Sequence, residues 1–330
     1  MKKTVAISII GRSGHAKRLI DLLQQHKKVC LQSVYHPKPG SSNSDIPVTD
    51  DFSKVLQANA VVIASPTYTH AHYLDLLKFY RGYILVEKPA VSTRAEMDVL
   101  RQWPDENKSR LMVNFNFKHS RLFELFSSYI GSPDLGNVIK MDVSVSQGLA
   151  FKAEYDNDWR NDIKKSFGVL ELAGVHFIHF ALSLFGDFEK YHANYLWMAG
   201  PGGPPDTTDL VLKMKSGPIV HIFNSYAAPF LKKFQIIGTN GYLDYDGKEF
   251  NLHSPRDHFD GAGRFTYPPL KQSVGLDFSE MWQESLEKSV NIFIGAVERE
   301  EKFCISELDL SFSSMEPVFE GRDNFLNRSL

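Results

Sequence analysis

The feature that most constrains this chain is a turn. Residues 5–10, VAISII, form a short apolar run and residues 16–25 carry helical periodicity; between them stands Gly11-Arg12-Ser13-Gly14-His15-Ala16. An apolar run of this length closed by glycine reads as a buried strand, so the six residues turn a strand into a helix. In the pattern G-x-G-x-x-G/A the first glycine bends the chain and the middle one lets the backbone approach a pyrophosphate. The last small residue lets the helix pack closely on the sheet. Gly11 and Ala16 satisfy the outer positions, while Ser13 takes the middle one with Gly14 beside it. A plain strand-to-helix turn also favours Gly and Ser, so the motif draws its weight from the elements around it.

Those elements alternate. Residues 29–35, 60–64, 83–86 and 111–115 are strand-like apolar runs, and residues 71–80 are helix-like. Ser92-Thr93 with Glu96 marks a capped helix start, ending near Trp103-Pro104. Strands alternating with helices imply a parallel sheet. The reading is an α/β fold: an N-terminal Rossmann dinucleotide-binding domain over residues 1–118. Beyond it the texture changes to strand-like runs at 138–146, 209–214, 219–226, 234–237 and 242–245, with long helices at 169–185 and 278–297 and loops at 200–205 and 253–269. Residues 119–330 therefore read as a C-terminal α+β domain with a large, mostly antiparallel sheet.

Composition excludes several classes. With 37 Lys+Arg against 39 Asp+Glu, the net charge of −2 gives no electrostatic grip on nucleic acid. Cys30 and Cys304 form neither a disulfide framework nor a C-x-x-C signature, which suits a reducing, cytoplasmic compartment. Met1-Lys2-Lys3 resembles the start of a signal peptide, but Arg12 cuts the apolar run short. Residues 167–186 are long enough to span a membrane, yet Glu171, His176 and His179 would be costly in hydrocarbon, so a buried helix is expected and no membrane partner.

A dinucleotide fold normally places an acidic residue at the end of the second strand, about 20 positions after the turn, to bind the ribose 2′-OH. None stands between Asp21 and Asp45. The second strand ends instead in Tyr35-His36-Pro37-Lys38, with Gly40, Ser41 and Ser42 behind. Lys38, Arg12 and these hydroxyls suit a 2′-phosphate, which favours NADP, with NAD the alternative. A solvated loop is the plainer reading of His36 and Lys38.

Farther along come Ala64-Ser65-Pro66-Thr67-Tyr68-Thr69-His70-Ala71 and Val86-Glu87-Lys88-Pro89-Ala90. Here the chain resembles the Gfo/Idh/MocA oxidoreductases, the family of glucose-fructose oxidoreductase and inositol dehydrogenase, which carry a P-x-x-x-H turn and an E-K-P turn. Val113-Asn114-Phe115-Asn116-Phe117-Lys118 is similar to the family's Y-N-x-R-F stretch. Residues 168–176 sit where many members read G-G-x-L-x-D-x-G-x-H, and residues 236–241 are similar to its G-T-x-G stretch. The likeness covers essentially the whole chain.

The resemblance implies an NAD(P)-dependent enzyme that transfers a hydride between nicotinamide and a hydroxyl or carbonyl of a sugar, polyol or sugar nucleotide. Lys88 would polarise the reacting oxygen, and His176 would act as acid and base. Gly11, Arg12, Ser13, Gly14, His15, Ala16, His36, Lys38, Ser65, Pro66, Thr67, His70, Glu87 and Lys88 would hold the cofactor. Lys88, Asn116, Lys118, Trp159, Arg160, His176 and His179 would face substrate in a crevice between the domains. The second domain would also serve oligomerisation, in a homo-oligomer such as a dimer or tetramer. No metal is expected, since His70 and His72 do not share a helix face.

One departure matters. Many members place Asp four residues before the histidine, where this chain has Leu172. Glu171 lies well around a regular helix from His176, whereas His179 and Ser183 share its face. A lone histidine on a buried helix is ordinarily a satisfied core group, so His176 takes its candidacy from the resemblance. The alternative is a catalytically inactive nucleotide-binding regulatory protein of the same fold. Residues 10–17 also resemble the opening of nucleotide-sugar acyltransferases, but the hexapeptide repeat of those enzymes is missing.

Overall fold

The computed structural model describes residues 4–38, 48–200 and 203–328. Gly40, Ser41 and Ser42, Met1 to Lys3, and two positions of the 200–205 loop lie outside the described residues. The chain divides into two compact units, Met1–Phe115 with Glu287–Phe312 and Asn116–Leu286 with Ser313–Leu330. The return of residues 287–312 to the first unit is something a single boundary at 118 does not describe.

The first unit holds six strands: β1 (Val5–Ile10), β2 (Val29–Tyr35), β3 (Val48–Thr49), β4 (Ala60–Ile63), β5 (Tyr83–Glu87) and β6 (Leu111–Asn114). Their order is β3-β2-β1-β4-β5-β6, and every neighbouring pair is parallel. All residues of β4 and β5 are buried, as strands covered on both faces must be, which explains their unbroken apolar runs. The order reverses at β1, so the carboxyl ends of β1 and β4 flank the switch point where such sheets bind ligands. The connecting helices are α1 (His15–Gln25), α2 (His70–Leu76), α3 (Arg94–Arg101) and the short α4 (Asp105–Lys108). Ala16, Leu19 and Leu23 form the buried stripe of α1. The predicted cap of α3 is a full capping box: Glu96 N–H donates to the Thr93 hydroxyl, and Thr93 N–H donates to the Glu96 carboxylate.

The second unit opens with α5 (Arg121–Tyr129), capped by Ser120. Its eight strands are β7 (Val138–Ser146), β8 (Phe188–Leu196), β9 (Thr207–Met214), β10 (Ile219–Ser225), β11 (Leu231–Gly238), β12 (Tyr242–Tyr245), β13 (Glu249–His253) and β14 (Leu270–Gly275). They run in the order β14-β13-β12-β11-β7-β10-β9-β8, antiparallel throughout except for the parallel pair of β7 and β10. Alternate residues such as Met141, Val143, Leu210, Ile222 and Leu243 are buried on one face, the period-two pattern of a half-covered sheet. Phe117 centres an aromatic cluster, its ring 5.0 Å from Phe180 and 5.6 Å from Phe234.

The helix expected over residues 169–185 is in two parts: a π-helical turn, Leu170–Gly174, and then α6 (Val175–Phe185). The long helices α7 (Phe278–Arg299) and α8 (Ile305–Arg328) come after the sheet. Among the described residues no helix is long and apolar enough to cross a membrane.

Candidate active site

The first unit gathers one set of candidates at the carboxyl edge of its sheet. Gly11 comes directly after β1 with φ 116°, and a Cβ there would lie 2.8 Å from the Ala64 carbonyl oxygen. Only glycine fits a turn pressed this closely against the end of β4. Gly14 caps α1 with φ 57° and no side-chain cap bond, and Arg12, Ser13 and Gly14 are exposed. Ala16 is fully buried under the helix. A backbone this bare, opening a helix at a switch point, fits a dinucleotide pyrophosphate.

The turn after β4 is tied to the turn after β5. The two ring nitrogens of His70 meet the Pro89 and Ser65 carbonyl oxygens, each at 2.8 Å, and the ring is 1% exposed. His70 thus braces the two turns. Ser65 Oγ lies 2.7 Å from Thr69 Oγ1, whose hydroxyl donates to the Pro66 carbonyl, and Thr67 is buried. At the end of β2, His36 Nδ1 accepts from Lys38 N–H at 3.1 Å, and Lys38 is exposed.

Glu87, the last residue of β5, is 9% exposed. Its Oε1 accepts from Asn114 Nδ2 at 2.6 Å and lies 3.1 Å from His15 Nε2. Burial alone would push this carboxyl up. The charge of His15, hydrogen bonds from His15 and Asn114, and the Lys88 ammonium outweigh burial and hold the carboxyl below its ordinary value. Lys88 itself is half-buried at the carboxyl edge.

The second unit gathers the other set. His176 and His179 are 5% and 3% exposed on α6, with His179 Nδ1 3.4 Å from Ser183 Oγ. Burial, then the nearby Lys118 and His119, holds the His179 imidazole well below the usual histidine range, so it is neutral. Trp282 of α7 meets His176 edge-on at 4.9 Å. Asn116 is buried and donates to Ser285 Oγ at 2.8 Å. Trp159 and Arg160 sit on their own turn, Trp159–Asn161, where Arg160 stacks on Trp159 and pairs with both oxygens of Asp158. Sequence alone does not single out Trp282 and Ser285, because α7 reads there as an ordinary amphipathic helix.

A parallel sheet with a glycine turn at its switch point defines a Rossmann-type fold, and a large antiparallel sheet comes after it in the chain. Residues 5–115 match "Oxidoreductase family, NAD-binding Rossmann fold" and residues 123–244 match "GFO/IDH/MocA C-terminal domain". The chain belongs to the Gfo/Idh/MocA family.

Among curated proteins it is similar to glucose-6-phosphate 3-dehydrogenase of Bacillus subtilis (strain 168), 26% identical over 194 residues. That match spans 56% of this chain and 54% of that enzyme, about half its length. Inositol 2-dehydrogenase of Rhizobium meliloti (strain 1021) is 22% identical over 267 residues, 79% of this chain and 76% of that one. The fold is shared with levoglucosan dehydrogenase in its apo form, at TM-score 0.79 and 16% identity over 97% of both chains. GenD2 from gentamicin A biosynthesis, solved in complex with NAD, shares it at TM-score 0.77 and 18% identity over 96% of this chain and 92% of that one.

Proposed function

We propose that this chain is an NAD(P)-dependent dehydrogenase acting on a hydroxyl of a sugar, polyol or sugar nucleotide. The observation that carries the cofactor half is Gly11: its positive φ and the Ala64 carbonyl behind it leave a turn that only a bare backbone can make. The residues Gly11 to Ala16 would hold the pyrophosphate, with Ser65 and Thr67 on the neighbouring turn. A nicotinamide bound there supplies the hydride acceptor or donor.

The chain's own residues supply the rest. An alcohol that loses hydride must also lose its O–H proton; the Lys88 ammonium would steady the developing oxyanion while the His176 imidazole takes the proton. Trp282 against His176 limits the orientations of that ring. The neutral His179 and the charged Lys118 offer an acceptor or donor and a cation to substrate hydroxyls. The substrate class is supported by relatives named for glucose 6-phosphate and inositol. A homo-oligomer is part of the same reading, and light scattering showing only monomer would contradict it.

The functional test is a screen with NAD⁺ and NADP⁺ against myo-inositol, glucose 6-phosphate, free hexoses and nucleotide sugars. Turnover confined to simple aliphatic alcohols or acids would overturn the substrate reading.

A further inference from the structure

We infer that Glu87 is a positioning residue, and that its pairing with His15 locks the dinucleotide turn to the Lys88 turn, so that cofactor affinity and the placement of Lys88 are set together. The inference rests on the proposed dinucleotide reading of the Gly11 to Ala16 turn.

The hydrogen bonds around Glu87 have a fixed direction. Ser289 Oγ donates to Asn114 Oδ1 at 2.6 Å, and Asn114 Nδ2 donates to Glu87 Oε1 at 2.6 Å. His15 Nε2 stands 3.1 Å from the same oxygen. Ser289 and Asn114 are completely buried, which leaves the Asn114 amide one orientation: oxygen toward Ser289, nitrogen toward Glu87. The donors therefore converge on a single carboxylate oxygen. Such a chain is strongest with an ionised Glu87, because protonation would leave Oε1 a weaker, uncharged acceptor, in agreement with the direction in which its carboxyl is held.

Three elements meet at this oxygen, α1 through its first residue His15, β5 through Glu87 and β6 through Asn114, and α7 joins them one bond away through Ser289, which holds the Asn114 amide. His15 is next to Gly14 in the turn, and Lys88 is next to Glu87. A shift of the turn is thus passed to Lys88 through one charge-assisted contact, and the Glu87 carboxylate also attracts the Lys88 ammonium directly. Buried and ringed by donors, Glu87 acts on a cofactor through its neighbours and not by touching it. The fifth position of the fingerprint carries no requirement of its own in the G-x-G-x-x-G/A pattern, so an imidazole there is a property of this chain.

The test uses the full chain with NADH and NADPH as probes, titrated by nicotinamide fluorescence in wild type, His15→Leu, His15→Gln, Glu87→Gln and the double variant His15→Leu/Glu87→Gln. In parallel, Lys88 labelling by acetic anhydride is monitored by peptide mass spectrometry. Loss of a hydrogen bond to a charged group predicts about tenfold weaker binding for His15→Leu and for Glu87→Gln. The double variant should be no weaker than the worse single one. His15→Gln keeps a donor at nearly the same reach and should retain most of the affinity. Lys88 labelling should change in His15→Leu, which a purely local role for His15 would not produce. The His15 side chain is 35% exposed, so its variants keep the test alive if Glu87→Gln fails to fold. Wild type that binds NADH or NADPH while His15→Leu leaves both affinity and Lys88 labelling unchanged overturns the inference alone, as do losses that simply add. Wild type that binds neither dinucleotide overturns the reading beneath it.

Discussion

Arg322 donates to Glu171 inside the second unit, Nη2 to Oε2 at 2.8 Å, with Glu171 fully buried and Arg322 9% exposed. The same carboxylate oxygen accepts from the Phe167 N–H. The pair anchors the π-helical turn Leu170–Gly174, from which α6 and His176 continue. Such turns are rare and gather at functional sites. Glu171 is thereby committed to Arg322, and Leu172 packs against the cluster of Tyr155, Val169 and Tyr226.

Arg322→Met should destabilise the protein by about 3–5 kcal/mol, because it strands a buried carboxylate. Replacing both partners, Glu171→Leu with Arg322→Leu, should recover much of that loss. Urea unfolding of wild type and the two variants measures it, and a wild-type midpoint for Arg322→Met would show that the pair bears little weight.

The protein should lose stability with acid through His179. Its folded pKa lies well below the ordinary 6.5, so the unfolded chain takes up the proton first. The stability is therefore fully present above about pH 6.5 and drains away as the pH falls toward the folded pKa, by up to ~1.4 kcal/mol per unit. Urea midpoints on either side of this window, compared with those of His179→Asn, isolate the contribution. Parallel profiles for the two proteins would contradict it.

NADPH should bind more tightly than NADH. Lys38 is exposed at the end of β2, Arg12 is exposed in the turn, and β2 ends without an acidic residue. Thr49, the last residue of β3, pairs with Tyr35, however, so Asp50 follows directly after the strand beside β2, a source of acid that spacing along the sequence does not reveal. Fluorescence titration of both cofactors with wild type and Lys38→Ala decides it; tighter NADH binding would give the ribose hydroxyl to an acid such as Asp50.

Much of the fold was legible because its signals are local. The runs at 5–10, 29–35, 138–146 and 242–245 are strands with those bounds, since each combines apolar or alternating residues with turn residues at its ends. The elements that stayed hidden depend on distant partners. β14 is an edge strand exposed along nearly its whole length, and β8 alternates only half-buried residues, so neither shows a strong apolar period. Pro317 lies inside α8, where it reads as a break. In the site, Gly11 and the E-K-P turn announce themselves by residue type. The couplings do not: Asn114 meets Ser289 across 175 residues and Glu171 meets Arg322 across 151, distances over which packing alone chooses partners.

On the proposed reading Lys88 and His176 divide the chemistry between them, and the direct measurement of that division is the rate of nicotinamide reduction by the best polyol or sugar substrate in His176→Ala and Lys88→Met. Losing an acid–base group predicts a fall of about 10²–10⁴-fold in kcat for His176→Ala. Lys88→Met, which keeps much of the side-chain length but removes the charge, should also slow turnover strongly. Both variants should remain folded and keep wild-type NADPH titrations, because on the proposed reading the nucleotide is held chiefly by the Gly11 to Ala16 turn. Near wild-type rates in both variants would contradict this division and leave the two residues as structural parts of a nucleotide-binding fold.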